Sequence, residues 1–209
     1  MIKELFLDTE TTGLSQKSGL YQIGGIIRYG NTYEEFEFNC DIFEDDEINP
    51  EAIKMAKISI KDLAKFPSPE ETYFKLLETL GRHVDKFNKT DKFIAIGYGV
   101  EFDMKVLRRW FEGMGDQFFG SWFWTPWICV MSLAAQRFKE VRPTMPNFKL
   151  KTVLEKAGIY FDDDKLHSAL YDAKKAMELY DWLTQVQRKE TKLEIDDKTG
   201  KKIYHLNKK

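Results

Sequence analysis

The first 40 residues alternate between apolar runs and short polar breaks in a way that marks three consecutive strands. Residues 3 to 9 are mostly apolar, as a buried strand is, and residues 20 to 29 repeat that character after a polar loop containing Gly13 and Gly19. Gly30-Asn31 turns the chain into a third strand, Tyr33 to Asn39. There Glu35 and Glu37 alternate with Phe36 and Phe38, the period of a half-exposed strand. Helical signals follow. Asn49-Pro50-Glu51 and Ser68-Pro69-Glu70-Glu71 place a capping side chain ahead of a proline and acids, and the second leads into an amphipathic run from Tyr73 to Phe87. Lys92 to Gly97 predicts a further strand and Asp103 to Met114 a helix. Further helices are predicted over Ser132 to Phe138, Lys151 to Ala157 and Ser168 to Gln187. A meander followed by alternating strands and helices predicts an α/β fold, a mixed sheet with helices on its faces.

The 209 residues suit one domain with a short appendage, and a composition of 43% hydrophobic and 32% charged residues suits a folded globule. Thirty-two basic residues against 34 acidic give a formal charge of −2, so no overall positive field advertises nucleic acid. An enzyme that grips a single strand end needs few phosphate contacts and is not excluded. Cys40 and Cys129 have no close-spaced partner, and Met1 to Leu5 enter a strand without a signal-peptide pattern. With no apolar run of 18 residues, a cytoplasmic protein without membrane contact is expected.

Three short segments carry the candidate chemistry. In Phe6-Leu7-Asp8-Thr9-Glu10-Thr11-Thr12-Gly13-Leu14 an apolar strand presents two carboxylates two residues apart, therefore on one face. A divalent cation would neutralise that pair, and oxygen-only donors favour magnesium or manganese over zinc. A plain exit from the core into a polar turn would also place them there. Asp103 stands where the apolar strand around Ile96 passes into a helix, and alone it would read as an N-cap. His167-Ser168-Ala169-Leu170-Tyr171-Asp172 opens the longest helix, with Ser168 as the N-cap, His167 outside it and Asp172 one turn inside. Ala169, Ala173 and Ala176 give that helix a small-residue face for close approach to the sheet.

Taken in order and spacing, Asp8-x-Glu10, Phe102-Asp103 and His167-x4-Asp172 resemble the DEDDh branch of the DnaQ-like 3′→5′ exonucleases, which have an RNase H-like fold and include proofreading domains. Asn49-Pro50-Glu51-Ala52, Ile58-Ser59-Ile60, Lys149-Leu150 and Gly158-Ile159 resemble the family's connecting segments, and the likeness runs over about residues 3 to 187. The histidine stands five residues before the last aspartate. Ser168 occupies the position that is tyrosine in the sister branch, and Gly99 departs from a frequent asparagine. The resemblance implies that Asp8, Glu10, Asp103 and Asp172 hold two divalent cations, Mg2+ or Mn2+, that His167 is the general base, and that 5′-mononucleotides are released. It implies contacts from Thr11, Leu14 and Phe102 to the terminal nucleotide, although Leu14 and Phe102 would equally suit core packing.

The expected partner is the 3′ end of single-stranded DNA or RNA, DNA favoured, and the proofreading likeness adds a polymerase or other replication or repair protein as a candidate. A catalytically silent binding module and an RNase H-type endonuclease are the rival readings. The first would be expected to lack an acid, and the second does not share the Asp8-x-Glu10 pair with His167-x4-Asp172. Arg137, Lys139, Arg142, Lys149 and Lys151 surround a proline-containing loop that reads as solvated, with phosphate contact the alternative, and the aromatic segment from Phe118 to Trp127 reads as largely buried, with base stacking or partner binding the alternative. The exonuclease domain is expected over 1–188. The tail 189–209 is basic and reads as a hairpin turning at Asp196-Asp197-Lys198-Thr199-Gly200.

Overall fold

The computed structural model describes the backbone of residues 1–195 and 202–206 and the side chains of residues 1–185. The meander is formed by β1 (Lys3–Thr11), β2 (Leu20–Tyr29) and β3 (Thr32–Asn39), all antiparallel. Next come α1 (Pro50–Met55), α2 (Ile60–Leu63) and α3 (Pro69–Gly81). Then β4 (Phe93–Gly97), α4 (Val100–Gly113), the two-residue β5 (Ile128–Cys129), α5 (Val130–Phe138), α6 (Leu150–Ala157) and α7 (Ala169–Glu190) complete the α/β unit. Strands β4 and β5 run parallel to β1, giving the order β3-β2-β1-β4-β5. The chain leaves β1 towards one side of the sheet and returns on the other, so the carboxyl ends of β1 and β4 form the crevice where ligands of open α/β sheets bind.

The alternation in β1 assigns its faces. Leu5 and Leu7 enter a core with Leu76 and Leu80 of α3 and Met104, Leu107 and Phe111 of α4. Phe6 points the other way, into a core with Val130 and Ala134 of α5, Val153 and Leu154 of α6, and Ala173, Leu179 and Leu183 of α7. The result is three layers, helix on sheet on helix. Of the aromatic segment, Phe119, Trp122 and Phe123 are buried and Phe118 is exposed.

Two helix boundaries stand apart from the expected ones. Helix α3 ends at Gly81 rather than near Phe87, because His83 turns in to meet Tyr29 Oη at 3.0 Å through Nδ1 and Glu34 at 2.8 Å through Nε2. Helix α4 starts three residues early, after Gly99 in the left-handed region (φ 85°). Glycine enters that region most readily, and asparagine, the residue the resemblance leads one to expect here, is among the few others that do. Beyond α7, β6 (Thr191–Ile195) pairs antiparallel with β7 (Lys202–Leu206), while the turn expected at Asp196–Gly200 lies outside the described residues.

Candidate active site

Asp8 and Glu10 project from β1 on the face that carries Phe6, beside the start of α7. A bulge between Glu10 and Thr11 ends the regular pairing with β2. Asp103 enters from the first turn of α4. It is buried and no N-cap: its Oδ1 accepts from Thr9 N at 2.9 Å and from Thr9 Oγ1 at 2.7 Å, fastening α4 to β1 beside Asp8. Both bonds end on one oxygen.

The third segment is held less locally than expected. Ser168 does precede α7, but its hydroxyl donates to Glu37 Oε1 at 2.8 Å instead of capping its own helix. The first free amides of α7 are taken by the sheet, Ala169 N by Gln22 Oε1 at 2.9 Å and Leu170 N by Glu37 Oε1 at 3.1 Å. A carboxylate there also suits the positive end of the helix. Gly24, paired with Asp8 across the strands, makes this approach possible: a Cβ there would lie 2.1 Å from Leu170 N. Ala169, Ala173 and Ala176 are buried against the sheet. Asp172 thereby reaches the β1 carboxylates, and its Oδ2 accepts from His167 N at 3.2 Å. His167 itself is exposed, in a left-handed conformation (φ 69°).

The acids crowd one another. Burial first, then the charges of Asp103, Asp172 and Glu10, hold the Asp8 carboxyl well above the usual range. Burial and the charges of Asp172 and Asp103 push Glu10 up to about 7. Burial raises Asp103 to about 7 and Asp172 to about 6, in each case against opposing hydrogen bonds. Tyr21, buried beside Glu10, has its phenol pushed up chiefly by burial, so it stays a donor over a long contact of 3.5 Å to Glu10 Oε2. Asp172 Oδ1 is buried without a hydrogen-bond partner. One ligand atom each from Glu10, His167 and Asp172 lie within 4.8 Å of one another. A cluster of mutually repelling carboxyls with an orphaned buried oxygen fits hard divalent cations, which would replace the retained protons.

Residues 5–180 match the family described as Exonuclease, RNase T type. The chain belongs to this exonuclease family. It is a nuclease of the DnaQ-like, RNase H-fold group of 3′→5′ exonucleases, and divalent-metal use comes with the family. A curated relative, ribonuclease T of Histophilus somni (strain 129Pt), is 25% identical over 208 residues, which cover 88% of this chain and 84% of the relative. Among solved structures, E. coli exonuclease I with a dT13 oligonucleotide superposes with a TM-score of 0.70 at 19% identity, over 90% of this chain and 42% of that one. A zinc-bound form of the E. coli enzyme with single-stranded DNA gives 0.70 at 18%. The present chain thus spans less than half of exonuclease I, and the likeness is one of fold.

In this exonuclease Glu10, at the edge of the acid cluster, opens onto a pocket of about 230 Å³ lined also by Thr11, Leu14, Tyr21, Phe102 and His167. Leu14 is 86% exposed and Phe102 partly exposed, so core packing does not explain Leu14. The β1–β2 loop that presents Leu14 is pinned by buried Thr12, whose Oγ1 donates to Glu47 O at 2.6 Å and accepts from Gly19 N at 2.7 Å. Ala52, Met55 and Ala56 of the α1 segment complete the wall, and sequence reasoning missed them and Tyr21. The exposed Met55, on a helix with no buried residue, is the available signal in hindsight. Among the described residues no helix is long and apolar enough to cross a membrane.

Proposed function

We propose that this exonuclease removes nucleotides one at a time from the 3′ end of single-stranded nucleic acid, DNA in preference to RNA, and releases 5′-mononucleotides. The observation that supports this most is the gathering of four interacting carboxyls from β1, α4 and α7, of which Glu10 lines a pocket that the exposed His167 also lines. Asp8, Glu10, Asp103 and Asp172 would hold two divalent cations, Mg2+ or Mn2+. When bound, such ions cancel the charge that builds on the phosphate and on the leaving 3′ oxygen of an in-line displacement.

The remaining work belongs to the chain. Thr11 and the exposed Leu14 meet the terminal sugar and base, with Phe102 across the pocket, an apolar grip that accepts any base. His167 sits outside α7, its ring without a hydrogen-bond partner among the described residues, and takes the proton of the attacking water at a ring nitrogen as the P–O bond breaks. Asp172, through the backbone N–H of His167, ties the position of the base to that of the carboxyl cluster.

The dT13 oligonucleotide bound by exonuclease I supports the preference for DNA, whereas the name of the ribonuclease T relative favours a second reading in which RNA ends are trimmed. Incubating 5′-labelled single-stranded DNA and RNA with Mg2+ or Mn2+ tests both. A ladder shortened by single nucleotides is expected, faster on DNA. Asp8→Ala and His167→Ala should each lower the rate by at least about a hundredfold. Cleavage of neither polymer would refute the nuclease reading, and faster RNA loss would select the second.

A further inference from the structure

Beside the catalytic pocket, and sharing Leu14 and Phe102 with it, a second cleft of about 460 Å³ runs between α4 and the β1–β2 loop. Its α4 wall is a single helical stripe of Phe102, Lys105, Val106, Arg109 and Glu112, related by steps of three or four residues with Lys105 and Val106 side by side. Resting on the exonuclease reading, we propose that this cleft is a second nucleotide subsite, in which Lys105 binds the phosphate on the 5′ side of the penultimate nucleotide while Phe102 and Val106 support its base.

The stripe has a direction. Lys105 is exposed, has no ion pair among the described residues, and lies one turn from Phe102, about 5 Å along the axis. Arg109 is already committed: its guanidinium donates to Ser18 O at 2.9 Å and to the buried carboxylate of Asp46, bracing the loop wall against α4. Glu112 closes the far end, about 15 Å from Phe102, with a charge that repels phosphate. The free cation therefore stands next to the catalytic pocket, with an apolar wall beside it. The cleft on the other side of the pocket, past His167, offers a poorer path. It is lined by Glu37, Asp163 and Asp164, and two of its three cations are paired, Lys165 with Asp162 at 3.4 Å and Lys174 with Glu35 at 2.6 Å. The Lys105 cleft places a cation with no ion pair among the described residues one turn from Phe102, with apolar support for a base beside it and fewer acids in its wall than the cleft past His167.

The thymidine dinucleotides pTpT and TpT differ by only the phosphate that Lys105 would hold. The wild type should cleave pTpT with a kcat/KM about fivefold above that for TpT, the size of one exposed charge contact. In Lys105→Ala the ratio should fall to about one, and Lys105→Arg should restore most of it. On a (dT)10 strand, Lys105→Ala should also flatten the slope of log KM against log salt by about 0.7, the share of one single-strand phosphate. Equal rates of the wild type on pTpT and TpT, or a Lys105→Ala ratio matching that of the wild type, would overturn the subsite alone. A wild type inactive on (dT)10 and both dinucleotides would overturn the nuclease reading with it.

Discussion

Glu10 shows how a carboxyl cluster can work against the fold that carries it. Its folded pKa stands at about 7 against an ordinary 4.5, and those of Asp103 and Asp172 at about 7 and 6 against 3.8. Between the two sets of values the folded chain holds more protons than the unfolded one, so stability falls as pH rises. The contribution is complete below about pH 4 and lost by about pH 7 as these groups ionise. Thermal unfolding in chelator should therefore show a falling melting temperature across that window. Glu10→Gln should recover part of the loss, raising the melting temperature at pH 8 by at least about 2 °C while leaving it unchanged at pH 4, since about 1 kcal/mol corresponds to 2–4 °C in a chain of this size. Added Mn2+ should stabilise the wild type more at pH 8 than at pH 5, because it competes with the retained protons, and should stabilise Glu10→Gln less. A wild-type melting temperature that rises from pH 4 to 7 in chelator would contradict the electrostatic account.

At the scale of elements, α7 and β2 meet at Gly24, and that contact sets where Asp172 and His167 stand. An alanine there would push its Cβ into the backbone at Leu170, which cannot turn aside as a flexible side chain would. Gly24→Ala should cost about 1–3 kcal/mol, the range for overpacking, and should lower activity further than the lost stability explains. Gly120→Ala, at a site where a Cβ meets nothing within 4 Å, is the control, expected to change neither. Assaying both well below their melting temperatures separates displacement of the site from unfolding. This junction was also where the sequence was least legible. Strands β1 to β4 and α7 could be read from their periods, and the five candidate site residues from an order and spacing that resemble the family's, because those signals are local. Ser168 was read as a cap on the same grounds, yet its hydroxyl turns to Glu37, and Gln22 and Glu37 take the helix amides from 147 and 133 residues away. Spacing along a chain carries no record of which distant side chain arrives. The early start of α4 and the exposure of Leu14 escaped for the same reason, since both depend on how a loop is pinned rather than on what it contains.

Across the whole molecule, the family match and the described core and site residues all lie within the first 185 residues. The family match ends at 180, Leu183 is the last core residue of α7 among the described side chains, and every proposed catalytic residue precedes that point. The β6–β7 pair forms a two-stranded sheet of its own, without a strand joined to the five-stranded sheet. An isolated two-stranded hairpin is marginal by itself and lends little to a separate core. From Arg188 onward the chain has eight Lys or Arg against four Asp or Glu, a balance suited to phosphate but unneeded for chemistry inside the pocket. A chain of residues 1–188 is therefore expected to melt within about 2 °C of the full chain, and to shorten a single-stranded decamer with an unchanged kcat. Any loss should appear in KM and grow weaker as salt is raised, the mark of charge attraction acting at a distance. Calorimetry and steady-state kinetics on the two chains at low and high salt decide it. A fall in kcat that salt does not alter would mean that the last 21 residues help to shape the site, and would place the functional unit at the full length of the chain.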